Sequence, residues 1–334
     1  MNTFEKESLG LFPTPMYRLP NLSRELGTNV WIKRDDLCGV ALGGNKVRKL
    51  EYLLKEARDQ GYDLVMTTGQ AQSNHAMLTA ACALRMGLDC ILVLKKRGVT
   101  ARKGNLILNH LMGVEVRYMD TDSYDDIYEE MDRIGEELGR KVYKIPCGGS
   151  NALGSLGYID CMKEVADSGV HFDHLVCACG SGGTAAGCVL GAKIHLPETK
   201  VMCSMVDNDP FDVIVPRLMR EAADLLDVQV DIPPPRSGGH VGSRLLHPLR
   251  GGQRGHQHDD EAGGHCPGHL LHRQGLRRSG APRPGGLLQA RGQRALRPHR
   301  RRRRPLCPGL GKGRIIPENH RTPPPCTYSL NMVS

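Results

Sequence analysis

Residues 63–94 read DLVMTTGQAQSNHAMLTAACALRMGLDCILVL, and the reading of this stretch decides the fold. Asp63–Thr67 and Cys90–Leu94 are short apolar runs of the length expected for buried strands. Between them, Asn74–Met86 is rich in good helix formers and long enough for three turns. A strand, a helix and a strand at this spacing make a βαβ unit. The same rhythm extends both ways. Upstream, TNVWIK (28–33) reads as a strand, and 46–60 carries Val47, Leu50, Leu53, Leu54 and Ala57 at helical spacing. Downstream, helices are expected over 103–112, 124–138, 153–168 and 184–191. They alternate with strands over 114–118, 141–145, 174–179 and 200–205. The pattern predicts an α/β protein with open parallel sheets covered on both faces. In such folds ligands sit at the carboxyl ends of strands, beside helix N-termini. No repeat of solenoid period is present.

Composition narrows the class. A chain of 334 residues, 40% hydrophobic, has room for about two domains with sizeable cores. No apolar run approaches the roughly 20 residues of a membrane-spanning helix, and MNTFEKESLGLF lacks the pattern of a signal peptide. Twelve scattered cysteines without CxxC pairs suggest neither a disulfide scaffold nor a structural zinc site. A reduced, cytoplasmic protein is expected. The net charge of +9 averages two unlike pieces: residues 1–232 carry −6 and residues 233–334 carry +15. The latter hold 17 Gly and 14 Pro with neither Phe nor Trp, a composition expected to be disordered or poorly folded.

Three loops have the make-up of chemistry-bearing turns. Gly43-Gly44-Asn45-Lys46-Val47-Arg48-Lys49 brings a lysine to the start of a helix, with Arg48 and Lys49 as neighbouring cations. That setting lowers an amine's pKa and suits a Schiff base, although a solvated basic helix start reads the same way. Gly69–His75 places Ser73 and Asn74 at a helix N-terminus, where they can hold a carboxylate or simply cap the helix. His75 reads equally as a base or a packed structural residue. Cys179–Thr184 (CGSGGT) is a phosphate cradle of bare backbone N–H groups and hydroxyls. It also satisfies G-x-G-x-x-A through Gly180, Gly182 and Ala185, which keeps a dinucleotide-binding dehydrogenase as a rival. That rival needs an acidic ribose ligand, which Glu198 or Asp207 supplies only loosely, and it leaves Lys46 and Ser73-Asn74 without a task.

A lysine loop, a carboxylate loop and a phosphate loop together suit pyridoxal phosphate. LFPTPMYRLPNLS, WIKRDDLCGVALGGNKVRKLEYLL, TTGQAQSNHAM, IPCGGSNALGSLGY and CGSGGTAAG resemble the D-cysteine desulfhydrase and 1-aminocyclopropane-1-carboxylate deaminase family, over about residues 8–232. These are fold-type-II pyridoxal-phosphate enzymes, similar to the tryptophan synthase β chain. The resemblance implies two α/β domains with the cofactor between them. A large domain would comprise 1–50 with 161–232, and a small one 51–160. It implies that Lys46 binds the cofactor covalently and acts as general base. Ser73 would lie at the substrate carboxylate and Asn74 at the ring's phenolic oxygen. Gly180, Ser181, Gly182, Gly183 and Thr184 would hold the phosphate, with Lys49 assisting. The GGSNALG stretch at Gly148–Gly154 looks more like the desulfhydrase branch. The expected reaction is β-elimination of D-cysteine to pyruvate, ammonia and hydrogen sulfide. The deaminase and a cysteate sulfo-lyase stand as alternatives. The expected partner is a small amino-acid substrate, with no nucleic acid, no membrane and no metal, and a homodimer for an in-frame parent.

The tail does not continue the family pattern, which should carry GY.IPSEEG, then YTGKA, then HTGG.GGLFA. Read one nucleotide later, all three appear in order. RLLHPLRGGQ (244–253) permits GYSIPSEEG, LHRQGLRRS (271–279) permits YTGKAFAG, and PHRRRRRPLCPG (298–309) permits HTGGAGGLFAL. A one-base frame slip between about Ile232 and Arg244 is therefore expected. It accounts for the excess of Arg over Lys, the missing aromatics and the nine tail histidines together. The chain with this literal tail is expected to fold poorly and to have little activity. A non-catalytic remnant or a basic-tailed binding protein is the reading of another class.

Overall fold

In a computed structural model the described residues are 1–97, 99, 103–234 and 328–333. The strands β1 (Met16–Arg18) and β2 (Asn29–Arg34) enclose helix α1 (Pro20–Leu26). Helix α2 (Lys46–Asp59) leads into three β/α steps and a closing strand: β3 (Leu64–Gln70), α3 (Asn74–Arg85), β4 (Asp89–Lys95), α4 (Asn105–Leu111), β5 (Glu115–Met119), α5 (Tyr124–Leu138) and β6 (Val142–Ile145). Helix α6 (Ala152–Asp167) then precedes β7 (His174–Cys179), α7 (Gly183–His195), β8 (Lys200–Met205), α8 (Phe211–Leu226) and β9 (Tyr328–Val333).

The strands form two sheets. One has the order β5-β4-β3-β6, all parallel, and the other β1-β2-β9-β7-β8, parallel except for β1. Central strand β3 is buried from Leu64 to Gly69, which is why it reads as a continuous apolar run rather than an alternation. Helix α5 shows the opposite pattern. Ile127, Met131 and Ile134 face the sheet, Ser123 caps its start by accepting from the Asp126 N–H, and Gly139 ends it in the left-handed conformation. One core lies on each face of the four-stranded sheet. A third joins α6, α7, α8 and the inner residues of β7 and β8. The boundary expected at residue 160 falls inside α6, whose Leu156, Tyr158 and Ile159 pack into that third core.

Four elements, α1 among them, lie outside the sequence pattern read above. Short β1 pairs with β2, α8 carries Pro216 in its interior, and β9 lies within the tail. The last is the one strand described within residues 233–334. Tyr328–Val333 pairs along the full length of β2 and with His174–Val176 of β7. The backbone groups along the facing edges of β2 and β7 find partners in this strand, a strong local demand on any extended segment. YSLNMV also has no Gly, Pro or Arg, unlike the tail around it. Residues 235–327 and 334, with the frame-slip motifs and histidines, lie outside the described residues.

Candidate active site

The three loops meet around one cavity of about 820 Å3. Lys46, Ser73, Asn74, Gly180, Ser181, Gly182 and Thr184 line it, each at the carboxyl end of a parallel strand or the N-terminus of a helix. Gly183 and Lys49 lie just beneath the wall. The Lys49 ammonium is buried, donates to the Gly148 carbonyl at 3.0 Å, and would sit 2.9 Å from a Cβ on Gly183.

Local sequence explains how Lys46 arrives there. Gly43 has φ +71°, and a Cβ on it would stand 1.9 Å from the Asp36 carbonyl oxygen, so only glycine makes this turn. Asn45 follows as the residue preceding α2, and its amide works in both directions. Its Oδ1 accepts from Lys46 Nζ at 2.9 Å and its Nδ2 donates to Thr184 Oγ1 at 3.1 Å. The lysine loop and the phosphate loop are thus joined by one side chain. Beneath them, Arg48 is clamped by Asp35 and Glu164 at 2.7–2.9 Å, with Lys33 completing the cluster on Glu164. This buried charge cluster ties the first turn of α2 to β2 and α6.

The electrostatics follow from burial. Desolvation brings the Lys46 amine down to about 8, against a smaller opposing influence from Cys147. Lys49 is pushed well below its ordinary value by burial and by the neighbouring Lys46. Ser73 Oγ accepts from the Ala76 N–H at 3.1 Å, so it caps α3 and still has its own proton to donate. His75 is buried with Nε2 2.8 Å from Thr67 Oγ1, and burial together with Lys46 and Lys49 holds it neutral. It packs beneath the loop and also reaches the cavity wall.

At the third loop, Gly182 precedes α7 with φ +86° and has no side chain of its own to cap the helix. The positive end of α7 therefore faces the cavity beside the Ser181 and Thr184 hydroxyls. Sequence reasoning missed Ser150, whose Oγ is 2.8 Å from Ser181 Oγ and accepts from the Gly183 N–H at 3.2 Å. It also missed Tyr124, Cys147 and Lys95, which line the same cavity. Lys95 Nζ lies 3.7 Å from the Tyr124 ring centre and donates to the Asp122 carbonyl. Only GGSN drew attention to this neighbourhood, as a branch marker. Among the described residues no three His, Cys, Asp or Glu side chains gather as metal ligands, and no helix is long and apolar enough to cross a membrane.

This donor set fits pyridoxal phosphate: an amine that loses its proton near neutral pH, and a helix start preceded by glycine and flanked by hydroxyls. Comparison with known families agrees, because residues 7–237 match the family described as pyridoxal-phosphate dependent enzyme. The chain belongs to this family. A putative 1-aminocyclopropane-1-carboxylate deaminase from Pyrococcus horikoshii is 44% identical over 246 residues, 69% of this chain and 72% of the relative. A mitochondrial bifunctional D-cysteine desulfhydrase/1-aminocyclopropane-1-carboxylate deaminase from Arabidopsis thaliana is 41% identical over 221 residues, 61% of this chain and 55% of that one. The crystal structure of a deaminase homologue superposes with a TM-score of 0.66 at 43% identity, covering 70% of this chain and 73% of the other. The family is of the fold-type-II architecture, and the dehydrogenase reading of Gly180–Ala185 is set aside.

Proposed function

We infer that this chain is a lyase for β-elimination of D-cysteine, which with one water gives pyruvate, ammonia and hydrogen sulfide. The observation that carries the reading is the convergence of Lys46, the Ser73-Asn74 turn and the Gly180–Thr184 loop on one cavity. Pyridoxal phosphate, when bound, supplies an electron sink for the charge left at the substrate Cα. Lys46 would hold the cofactor and accept the Cα proton on Nζ. An amine brought to about 8 exchanges protons readily near neutral pH. The Ser73 hydroxyl would donate to the substrate carboxylate, helped by the positive end of α3. Ser181, Thr184 and the start of α7 would hold the phosphate, with Thr184 free to donate because its oxygen accepts from Asn45. Asn74 would face the cofactor ring.

A second reading, deamination of 1-aminocyclopropane-1-carboxylate to 2-oxobutanoate, is favoured by the names of the relatives. Feeding both substrates to a frame-restored protein separates them: sulfide with pyruvate supports the first, and 2-oxobutanoate alone overturns it in favour of the second. Lys46→Ala retaining full turnover would refute both. We further read residues from about 233 onward as translated one base out of frame, since the family match ends at residue 237. Resequencing the coding DNA across codons 225–250 tests this, and an unbroken frame there overturns it.

A further inference from the structure

The turn that carries Ser73 and Asn74 is held from outside by the start of α4. Gln72 and Asn105 embrace each other's backbone. Gln72 Nε2 donates to the Lys103 carbonyl at 2.9 Å, and Gln72 Oε1 accepts from the Asn105 N–H at 2.9 Å. Asn105 Nδ2 donates to the Gln72 carbonyl at 2.9 Å and to Asn74 Oδ1 at 2.7 Å. Gly104 permits this approach, since its φ is +56° and a Cβ there would stand 2.4 Å from Gln72 Oε1.

The chemistry of these contacts orders the amides in sequence. A backbone carbonyl is an acceptor only, so the Asn105 atom facing Gln72 is its NH2 group. That same NH2 faces Asn74, so the Asn74 atom it meets is the carbonyl oxygen. The Asn74 NH2 group is thereby turned the other way. It donates to no described residue, and Asn74 lines the cavity. Asn105 is itself buried, at 8% exposure, which limits its freedom to rotate.

We propose that Asn105 is a positioning residue that fixes the Asn74 amide with its NH2 toward the cavity, so that Asn74 offers a donor, not an acceptor, to a ring oxygen of the bound cofactor. This rests on the reading of the cavity as the pyridoxal-phosphate site. Asn105 never touches the ligand, and its effect passes through one side chain.

The test is a cycle of variants of the full chain, titrated with pyridoxal phosphate and followed by visible absorbance. Asn105→Asp keeps the shape but can only accept, which favours the reversed Asn74 amide and sets its carbonyl oxygen against the ring oxygen. Cofactor affinity should fall about tenfold, the scale of one mismatched polar contact, and the visible band should shift. Asn105→Ala, which frees the amide without reversing it, should cost less. In an Asn74→Ala background both Asn105 substitutions should change affinity by less than about twofold. Equal losses in both backgrounds, or an Asn105→Asp variant that binds normally, overturn the proposal. If Asn105→Asp does not fold, the Asn105→Ala arm of the cycle decides. Borohydride reduction with the cofactor, followed by mass mapping, separates the two levels. A chain unlabelled at Lys46 removes the cofactor reading and this inference together, while a labelled chain with an additive cycle removes only this inference.

Discussion

Replacing Lys46 by Met should make the cofactor-free protein more stable at neutral pH while abolishing cofactor capture. The amine titrates at about 8 in the fold against an ordinary value of 10.5, so folding disfavours its charged form. That difference corresponds to about 3 kcal/mol. Losing the hydrogen bond from Nζ to Asn45 Oδ1 returns about 1 kcal/mol, which leaves a net gain of about 2 kcal/mol for Lys46→Met at pH 7. The pH dependence gives the sharper test. Between about 8 and 10.5 the unfolded chain binds more protons than the folded one at this site, so the stability of the unmodified protein rises with pH there. Below about 8 the full penalty applies, and above 10.5 it is gone. Other titrating groups are common to both proteins and cancel in the difference. Urea denaturation of the two cofactor-free chains at pH 7, 9 and 10.5 should show the gap closing as pH rises. A Met variant less stable than the parent at pH 7, or a gap that does not narrow, would refute the reasoning.

The rate of pyridoxal-phosphate capture should rise with pH to a midpoint of about 8, because only the neutral Lys46 amine is nucleophilic; stopped-flow absorbance reads this, and a flat profile from pH 6 to 9 contradicts it. Arg48→Met should cost about 3–5 kcal/mol in urea melts, since it strips buried Asp35 of its counter-charge. Burial pushes the Asp35 carboxyl up, but Arg48, Tyr158 and Thr14 together bring it below its ordinary 3.8. The parent therefore holds this stabilisation above pH 4 and loses it on further acidification, an acid limb that the variant should lack. Gly183→Ala would put a methyl 2.7 Å from Ser150 Oγ and 2.9 Å from Lys49 Nζ, displacing the groups behind the phosphate loop. Equilibrium titration should show at least a tenfold loss of cofactor affinity with the circular dichroism spectrum preserved.

Much of this was legible because local rules agreed with the fold. β3, α5 and β7 follow from apolar runs and helical spacing alone, and the three loops stand out as Gly-rich and polar breaks between strand and helix. What escaped depends on partners far apart in the chain. Asn45 meets Thr184 across 139 positions, and Ser150 meets Ser181 across 31. No single-sequence pattern encodes such pairings. Helix α8 was obscured by Pro216, which usually interrupts a helix. β9 was hidden in a Pro-, Gly- and Arg-rich context whose average composition masks six ordinary strand residues.

Strand β9 also bears on how the molecule is made. Asn29 pairs with Tyr328, so the middle of the five-stranded sheet joins segments 299 positions apart in the chain. During synthesis, β2 and β7 emerge long before the strand that lies between them, each presenting an open edge. Pairing of such high contact order is slow and leaves the nascent chain open to association with other edges. The four-stranded sheet, built from consecutive segments between Leu64 and Ile145, carries no such delay. The lobe bearing Ser73 and Asn74 can form from one contiguous stretch, while the sheet whose strand β7 leads into the phosphate loop waits for β9.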